Sequence, residues 1–375
     1  MKFSLDFKNI SDAVNTSSKA VDTKGAQPIL SNLLITANEG SVRFVGTDQE
    51  IMMISTAEAN IEEGGQFTIP AKLLQEILSS FTAEGSEKVN FEMLNSETGE
   101  TEVSCGRSKF NIQIQGVDGF PPVPVIGGEE TQLYETKCEG FGRALKEASV
   151  AVSSEDGNPV QKAICFDFTD GEKPMMASTD NKRLAATAVR ELAVPETMRQ
   201  IYIVPSRAIS ELRKLLDSNE NIKFGLYKNQ LLFATEKFQL ITRLVEGRFP
   251  DYKRVLPHEM KRSVKMDKKA LAKSLKAVNP MARYVENLVH FEINANETKI
   301  WADAKEQGRA ESFVSSELTG EPISIAFNSK YVSDFINVLD DEEVVIEMTT
   351  ANYPGLLRPG NLDSEFKYVV MPMSY

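Results

Sequence analysis

The chain has 375 residues, 41% hydrophobic and 26% charged, too long for one ordinary core and suited to two or three domains. A formal net charge of −12, taken as an average, argues against a nucleic-acid partner. Three scattered cysteines (Cys105, Cys138, Cys165) without CxxC spacing argue against disulfides and structural zinc, while MKFSLDF lacks a signal-peptide core and no apolar run reaches membrane-spanning length, which together suit a reducing cytoplasm.

Taken in chain order, FSLDFKNISDAVNTSSKAV (3–21) alternates briefly and then switches to helical spacing, predicting a strand and a helix over 8–24. Short strands follow in VRFVGTDQEIMMIS (42–55). GQFTIPAKLLQEILSSF (65–81) predicts another strand and a helix over 71–82, with Pro70 at its start. KFNIQIQG (109–116) closes the third and leads into a Gly–Phe–Pro exit.

The same order then returns. QLYETKCEGFGRALKEASVAV (132–152) predicts a helix over 139–152, PMMASTDNKRLAATAV (174–189) more strands, and RQIYIVPSRAISELRKLLD (199–217) a helix over 206–217 that begins after Pro205. FQLITRLVEG (238–247) leads into a second Phe–Pro exit. In the last third, RSVKMDKKALAKSLKAV (262–278) predicts a helix over 267–283, N-capped by Asp267 and ended by Pro280. TKIWADAKEQGRAESF (298–313), EPISIAFNSKYVSDFINVLD (321–340, helix over 328–339) and FKYVVMPM (366–373) complete the copy.

Four features recurring in order at one spacing indicate triplication. The expected fold is α+β, with three repeated domains of two helices and antiparallel sheets each, at 1–122, 130–252 and 256–375. The borders fall in DGFPPVPVIGGEE (118–130) and DYKRVLPHEM (251–260).

Catalytic patterns are missing. His258 and His290 have no partners at triad or metal-ligand spacing, and neither GxxxxGK[ST] nor GxGxxG occurs. Thr47–Asp48 and Thr179–Asp180 invite a metal reading, but they are repeat-equivalent and are expected to make the same turn; no metal or cofactor is expected. The six helices together carry surplus positive charge, most of it over 267–283, whereas EANIEEGG (58–65) and LNSETGETE (94–102) are acidic. Repeated domains would aim equivalent helices the same way, at an anion.

PILSNLLI (28–35), GTDQE (46–50), TIPAKLL (68–74), GRSKF (106–110), STDNKRLA (178–185), IVPSRAI (203–209), LVEGRFPDYKRVLP (244–257) and YVVMPM (368–373) resemble, in order, the bacterial DNA polymerase III beta subunit family, the sliding clamps. The resemblance covers essentially the whole chain. It implies a non-catalytic processivity factor, a cytoplasmic head-to-tail homodimer closed as a ring around duplex DNA. Twelve helices packed about 10 Å apart would close on a circle roughly 38 Å across, leaving about 28 Å clear.

It also implies a pocket between the second and third domains for linear peptides of the replicative polymerase, the clamp loader and repair polymerases. That pocket maps to Thr179, Asn181, Lys182, Arg183, Leu184, Pro250, Arg254, Val255, Val369, Met371, Pro372 and Met373, with Asn328 and Tyr331 nearby. Leu184, Pro250, Val255, Val369 and Met371 to Met373 would form an apolar groove rimmed by Arg183 and Arg254. Lys24, Lys72, Arg143, Lys146 and Arg207 are expected to meet phosphates without sequence preference. Phe110 and Ile112, alternating with Ile114 on an edge strand, are expected to join domain three of a second copy. Asn181–Lys182, NPVQKAI (158–164) and the MPMSY ending depart from the family pattern and bear on peptide preference. The alternatives are a metal-dependent nuclease using Asp48 and Asp180, or a repeat scaffold that binds only proteins.

Overall fold

The computed structural model describes residues 1–23, 25, 27–81, 87–124, 132–217, 220–257, 259–361 and 363–374. The chain forms two compact units, Met1–Thr136 with Ser210–Leu244, and Lys137–Ile209 with Val245–Tyr375. Both units therefore draw on the middle third of the chain. The six α-helices among the described residues are α1 (Phe7–Ser17), α2 (Ala71–Ser80), α3 (Cys138–Ala148), α4 (Ser206–Leu215), α5 (Lys268–Ala282) and α6 (Ser329–Val338). None is long and apolar enough to cross a membrane.

In the first unit a five-stranded antiparallel sheet runs in the order Asn60–Glu63, Lys2–Asp6, Lys88–Asn95, Glu100–Cys105, Ser108–Gln113. An eight-stranded sheet runs Leu133–Lys137, Asn221–Tyr227, Gln230–Ala234, Phe238–Arg243, Ile51–Glu58, Ser41–Thr47, Asn32–Asn38, Gly65–Pro70. Alternation in FSLD and helical spacing after it turn Phe3, Leu5, Ile10 and Val14 into one core with Leu33, Phe44, Ile69, Leu74 and Phe91. Phe3 and Phe91 stack at 4.8 Å, and each fully buried side chain of this size contributes about 1.5–3 kcal/mol. Gln75 Nε2 donates to Asn15 Oδ1 at 3.0 Å between α1 and α2.

The second unit holds a twelve-stranded sheet. Its order is Ile201–Pro205, Ala163–Asp167, Met175–Thr179, Arg183–Ala188, Lys367–Val370, Gly355–Pro359, Glu343–Met348, Arg262–Asp267, Arg309–Thr319, Glu297–Asp303, Leu288–Ile293, Ile323–Asn328. The long strand Arg309–Thr319 turns a corner: residues 309–315 pair with 297–303, while 316–319 pair with 263–266. Leu271, Leu275, Phe291, Phe327, Phe335 and Tyr368 lie in its main core.

Helix ends differ from expectation. α1 stops at Ser17 and α3 at Ala148, each tightening into one 3-10 turn (Ser18–Ala20, Ser149–Ala151) instead of running on to 24 and 152. Pro70 and Pro205 precede the first helical residue. Asp267 caps α5 as expected, its Oδ1 accepting from Ala270 N at 2.7 Å. Pro280, however, lies inside α5 and does not end it. It falls in the last turn, where a missing N–H forfeits a single ladder bond; α5 ends two residues later at Ala282, and a 3-10 turn (Arg283–Val285) leads out through Glu286 and Asn287, both at positive φ (57° and 62°).

Candidate functional site

In the second unit the strand Arg183–Ala188 pairs with Lys367–Val370, setting Leu184 opposite Val369. The turn before it is held by its own side chains. Thr179 Oγ1 donates to Arg183 O at 2.7 Å, and Asp180 Oδ1 accepts from Lys182 N and Arg183 N at 3.0 and 2.9 Å. Asn181 takes φ 70°, a conformation asparagine adopts more readily than most residues. Met371 N then donates to Lys182 O and Met373 N to Ala326 O, both at 2.9 Å, so backbone bonds fix the tail over this turn.

The tail and turn enclose a cavity of about 470 Å³. Of the expected pocket residues, Lys182, Arg183, Asn328, Tyr331, Met371, Pro372 and Met373 line it. Asn328 has a second task as the cap of α6, accepting from Lys330 N at 3.0 Å. Gln161, from the NPVQKAI stretch, lines it too, and so do Ser153, Ser154, Glu155, Glu286, Asn287 and Lys330, which no motif marks. They sit in polar loops and a helix start. The one usable signal was the unspaced polar stretch SSEDGN (153–158) between a helix and a strand.

Arg183 is not a rim residue. Its side chain is only 7% exposed, with Nε 2.9 Å from Asp180 Oδ2, Nη1 2.7 Å from Asp334 Oδ2 and 3.1 Å from the Tyr368 hydroxyl, and the guanidinium 4.4 Å from the Tyr331 ring centre. Burial alone would lower its pKa, but Tyr368, Asp334 and Asp180 outweigh that and raise it. The planar fork thus ties the turn, α6 and the last strand together.

Leu184 and Val369 are buried, not open to a groove, in a cluster with Phe249, Tyr252 and Leu356. Thr179 is buried as well. Pro250 is exposed, Val255 is 47% exposed, and Arg254 reaches outward to Asp251 at 2.8 Å. Met371 is 45% exposed. The expected apolar groove is therefore a buried floor with separate exposed points, not one continuous trough. Beside it, Tyr252 donates its hydroxyl proton to Asp167 Oδ2 at 2.9 Å, and Lys253 Nζ lies 2.8 Å from the same carboxylate. Burial opposes the Asp167 charge, yet Lys253, Thr169 and Tyr252 prevail and lower its pKa.

The expected phosphate contacts are scattered in character. Lys24 lies outside the described residues. Lys72 is exposed, 3.9 Å from Glu76, and Arg207 is exposed. Arg143 is half-buried, and Lys146 is committed to Asp340 at 2.5 Å. Lys269, Lys273 and Lys276, which were not singled out, are exposed along one face of α5 and have no ion-pair partner among the described residues. The cation surplus over 267–283 was the signal for them.

Ser108–Gln113 is the outer strand of its sheet. Phe110 and Ile112 are half-buried against their own core, Phe110 edge-on to Phe81 at 5.7 Å, and Ile114 is buried. In the second unit, residues 309–315 pair on one side only among the described residues, and Phe313 there is 52% exposed. Asp48 repeats the turn role of Asp180, accepting from Glu50 N and Ile51 N at 3.0 and 2.9 Å. His290 stacks on Trp301 at 3.9 Å, while His258 lies outside the described residues. Among the described residues no three His, Cys, Asp or Glu side chains could hold a metal.

Three family models match in succession: DNA polymerase III beta subunit N-terminal domain over 1–124, central domain over 135–251 and C-terminal domain over 253–374. A beta sliding clamp of Vibrio cholerae is 28% identical, with 100% of both chains covered. A sliding clamp of Bartonella birtlesii bound to griselimycin superposes with a TM-score of 0.92 at 26% identity, and a DNA polymerase III subunit beta of Pseudomonas aeruginosa with 0.90 at 25%, each over 100% of both chains. With all three domains matched in order along nearly its whole length, the chain belongs to the DNA polymerase III beta subunit family.

Proposed function

We infer that the chain is a sliding clamp, a non-catalytic processivity factor that encircles duplex DNA and tethers the replicative polymerase and other DNA-handling proteins. The observation that carries this is the ordered match of three clamp domains along the whole chain. We place the domains at 1–122, 130–252 and 256–375. The protein works in the cytoplasm as a head-to-tail homodimer, each copy offering Ser108–Gln113 to residues 309–315 of the other. Two such heterologous contacts close a ring, and each edge covers the other's unpaired backbone groups.

The lysines of α5, with Lys72, Arg143 and Arg207, meet phosphates loosely and without base readout, as sliding requires. Lys146 joins them when Asp340 yields. Partner peptides bind at the cavity walled by Tyr331, Met371, Pro372 and Met373, whose thioethers adapt to varied side chains. The polar wall from Ser153 to Gln161 favours ligands with hydrogen-bonding groups beside the anchor.

The deciding experiment loads the protein onto nicked circular DNA and then linearises it. Retention on the circle and loss from the linear form is the expected result. Equal loss from both forms would leave a protein-only scaffold. Removing Met371–Tyr375 should abolish partner-peptide binding while the dimer persists in sedimentation.

A further inference from the structure

The first unit carries a second concave surface, a cavity of about 360 Å³ bounded by the strands Asn32–Asn38 and Ser41–Thr47 and the segment 117–123. Leu34, Val45, Phe120 and Val123 make it apolar, and Thr36 and Arg43 are among its polar groups. It shares no residue with the cavity of the second unit.

Its counterpart in the second unit is filled, and strand register identifies the corresponding residues. Thr36 lies opposite Arg43 and Gln66, as Asp167 lies opposite Met175 and Ile201. The steps Phe120–Pro121 and Phe249–Pro250 make Val123 the equivalent of Tyr252. In the second unit the Tyr252 ring, the Asp167 carboxylate and the Lys253 ammonium close on one another. In the first, valine stands for the ring and threonine for the acid, while the cation comes from Arg43. That guanidinium is half-buried, its pKa lowered by burial, and its one hydrogen bond among the described residues is a long 3.5 Å contact to Pro124 O. No carboxylate reaches it among the described residues. A half-buried cation without a counter-charge weakens a fold unless something supplies the missing partner.

We propose that this groove binds a linear peptide of a partner protein in which an acidic side chain neighbours a large apolar or aromatic one. The carboxylate meets the Arg43 fork, the geometry in which arginine forms its strongest hydrogen bonds. The ring enters the space that Tyr252 takes in the twin, against Leu34, Val45 and Phe120. Apolar walls with a few placed polar groups are the usual make-up of such sites.

The test uses the full-length protein and two capped dipeptides, glutamate–phenylalanine and glutamine–phenylalanine, followed by amide shifts in TROSY spectra. The acidic probe should give saturable shifts at Thr36, Arg43, Val117 and Phe120. The glutamine probe, and the acidic probe on Arg43→Gln, should bind at least about tenfold more weakly. Thr36→Asp with Val123→Tyr copies the filled twin and should abolish binding, with the remaining spectrum reporting an intact fold. Equal affinity for both probes, no saturable shift at millimolar probe, shifts confined to the Tyr331 cavity, or binding retained by the double variant would each overturn the proposal. So would groove shifts produced without probe by Glu129→Gln with Glu130→Gln, because the chain's own acids would then hold Arg43.

Discussion

The turns Thr47–Ile51 and Thr179–Arg183 share one backbone. In both, a threonine hydroxyl donates to the carbonyl four residues on, an aspartate accepts two amide protons, and the third residue sits at φ 73° or 70°. In both, a distant segment then donates to the fourth residue, Arg243 N to Glu50 O and Met371 N to Lys182 O, each at 2.9 Å. The fourth position exchanges an acid, Glu50, for a base, Lys182, and the last exchanges a hydrocarbon for a cation. Ile51 is a plain buried hydrocarbon, whereas Arg183 is a buried cation with three oxygen partners. The isoleucine copy shows that the turn does not require the network. Charge at that place serves the side chains around it, Tyr331 and Tyr368 above all.

That comparison can be broken most forcefully at Arg183. Arg183→Ala takes the guanidinium from Asp180, Asp334 and the Tyr368 hydroxyl, leaving Asp334 only Lys330 as a cation among the described residues, and should cost about 3–5 kcal/mol in denaturant unfolding. Ile51→Ala should cost about 2–5 kcal/mol by cavity formation alone. The alanine at 183 should also weaken partner-peptide binding, while the alanine at 51 should not; equal binding losses would dissolve the distinction.

At the next level, Phe110→Asp with Ile112→Asp charges the outer strand of the first unit and should raise the dimer dissociation constant about a hundredfold or more in sedimentation. An unchanged dimer would show that the edge is not the interface. The helices can be compared in the same way. Lys269→Gln, Lys273→Gln and Lys276→Gln together should flatten the log–log salt dependence of DNA binding by about 2–3, with no change in sequence preference. Lys8→Gln on α1 should change the slope by about 1 or less.

The smallest effect concerns Glu147, buried on α3 where α1 has Thr16. Burial raises its pKa, although a Thr187 hydrogen bond and the nearby Arg143 act the other way. A carboxyl that holds its proton more tightly when folded stabilises the fold most below the ordinary glutamate pKa. That contribution declines as pH rises from there through the raised folded value. The melting-temperature difference between the native chain and Glu147→Gln should therefore vary across that window, by no more than a few degrees. A difference independent of pH would contradict the burial argument.

Local patterns made much of this legible. The switch from alternation to helical spacing located all six helices, and Asp267 announced its cap. The terminal turns eluded pattern reading, because a 3-10 finish at Ser18 or Ser149 depends on packing under the helix. The site was legible in composition but not in depth. Nothing near Arg183 in sequence reveals that Asp334, 151 residues away, will claim its guanidinium, so an arginine in a polar turn reads as a rim. Leu184 and Val369 similarly became floor because strand pairing set them face to face. The α5 lysines were visible as a count before they were visible as a face.

The continuity of the eight-stranded sheet bears on how the protein is made. Ile51–Glu58, which belongs to the first repeat, is bonded on one side to Phe238–Arg243, and the Ser55 hydroxyl reaches a carbonyl 182 residues further on. Until the ribosome delivers that distant strand, the nascent chain exposes IMMIS (51–55), an apolar, uncharged edge of the kind that recruits neighbouring chains. The unit of inheritance, one repeat, is thus not the unit of folding. Translation that stalls at the first Phe–Pro exit should release an aggregating fragment, and holdase chaperones should favour this chain before residue 238 emerges.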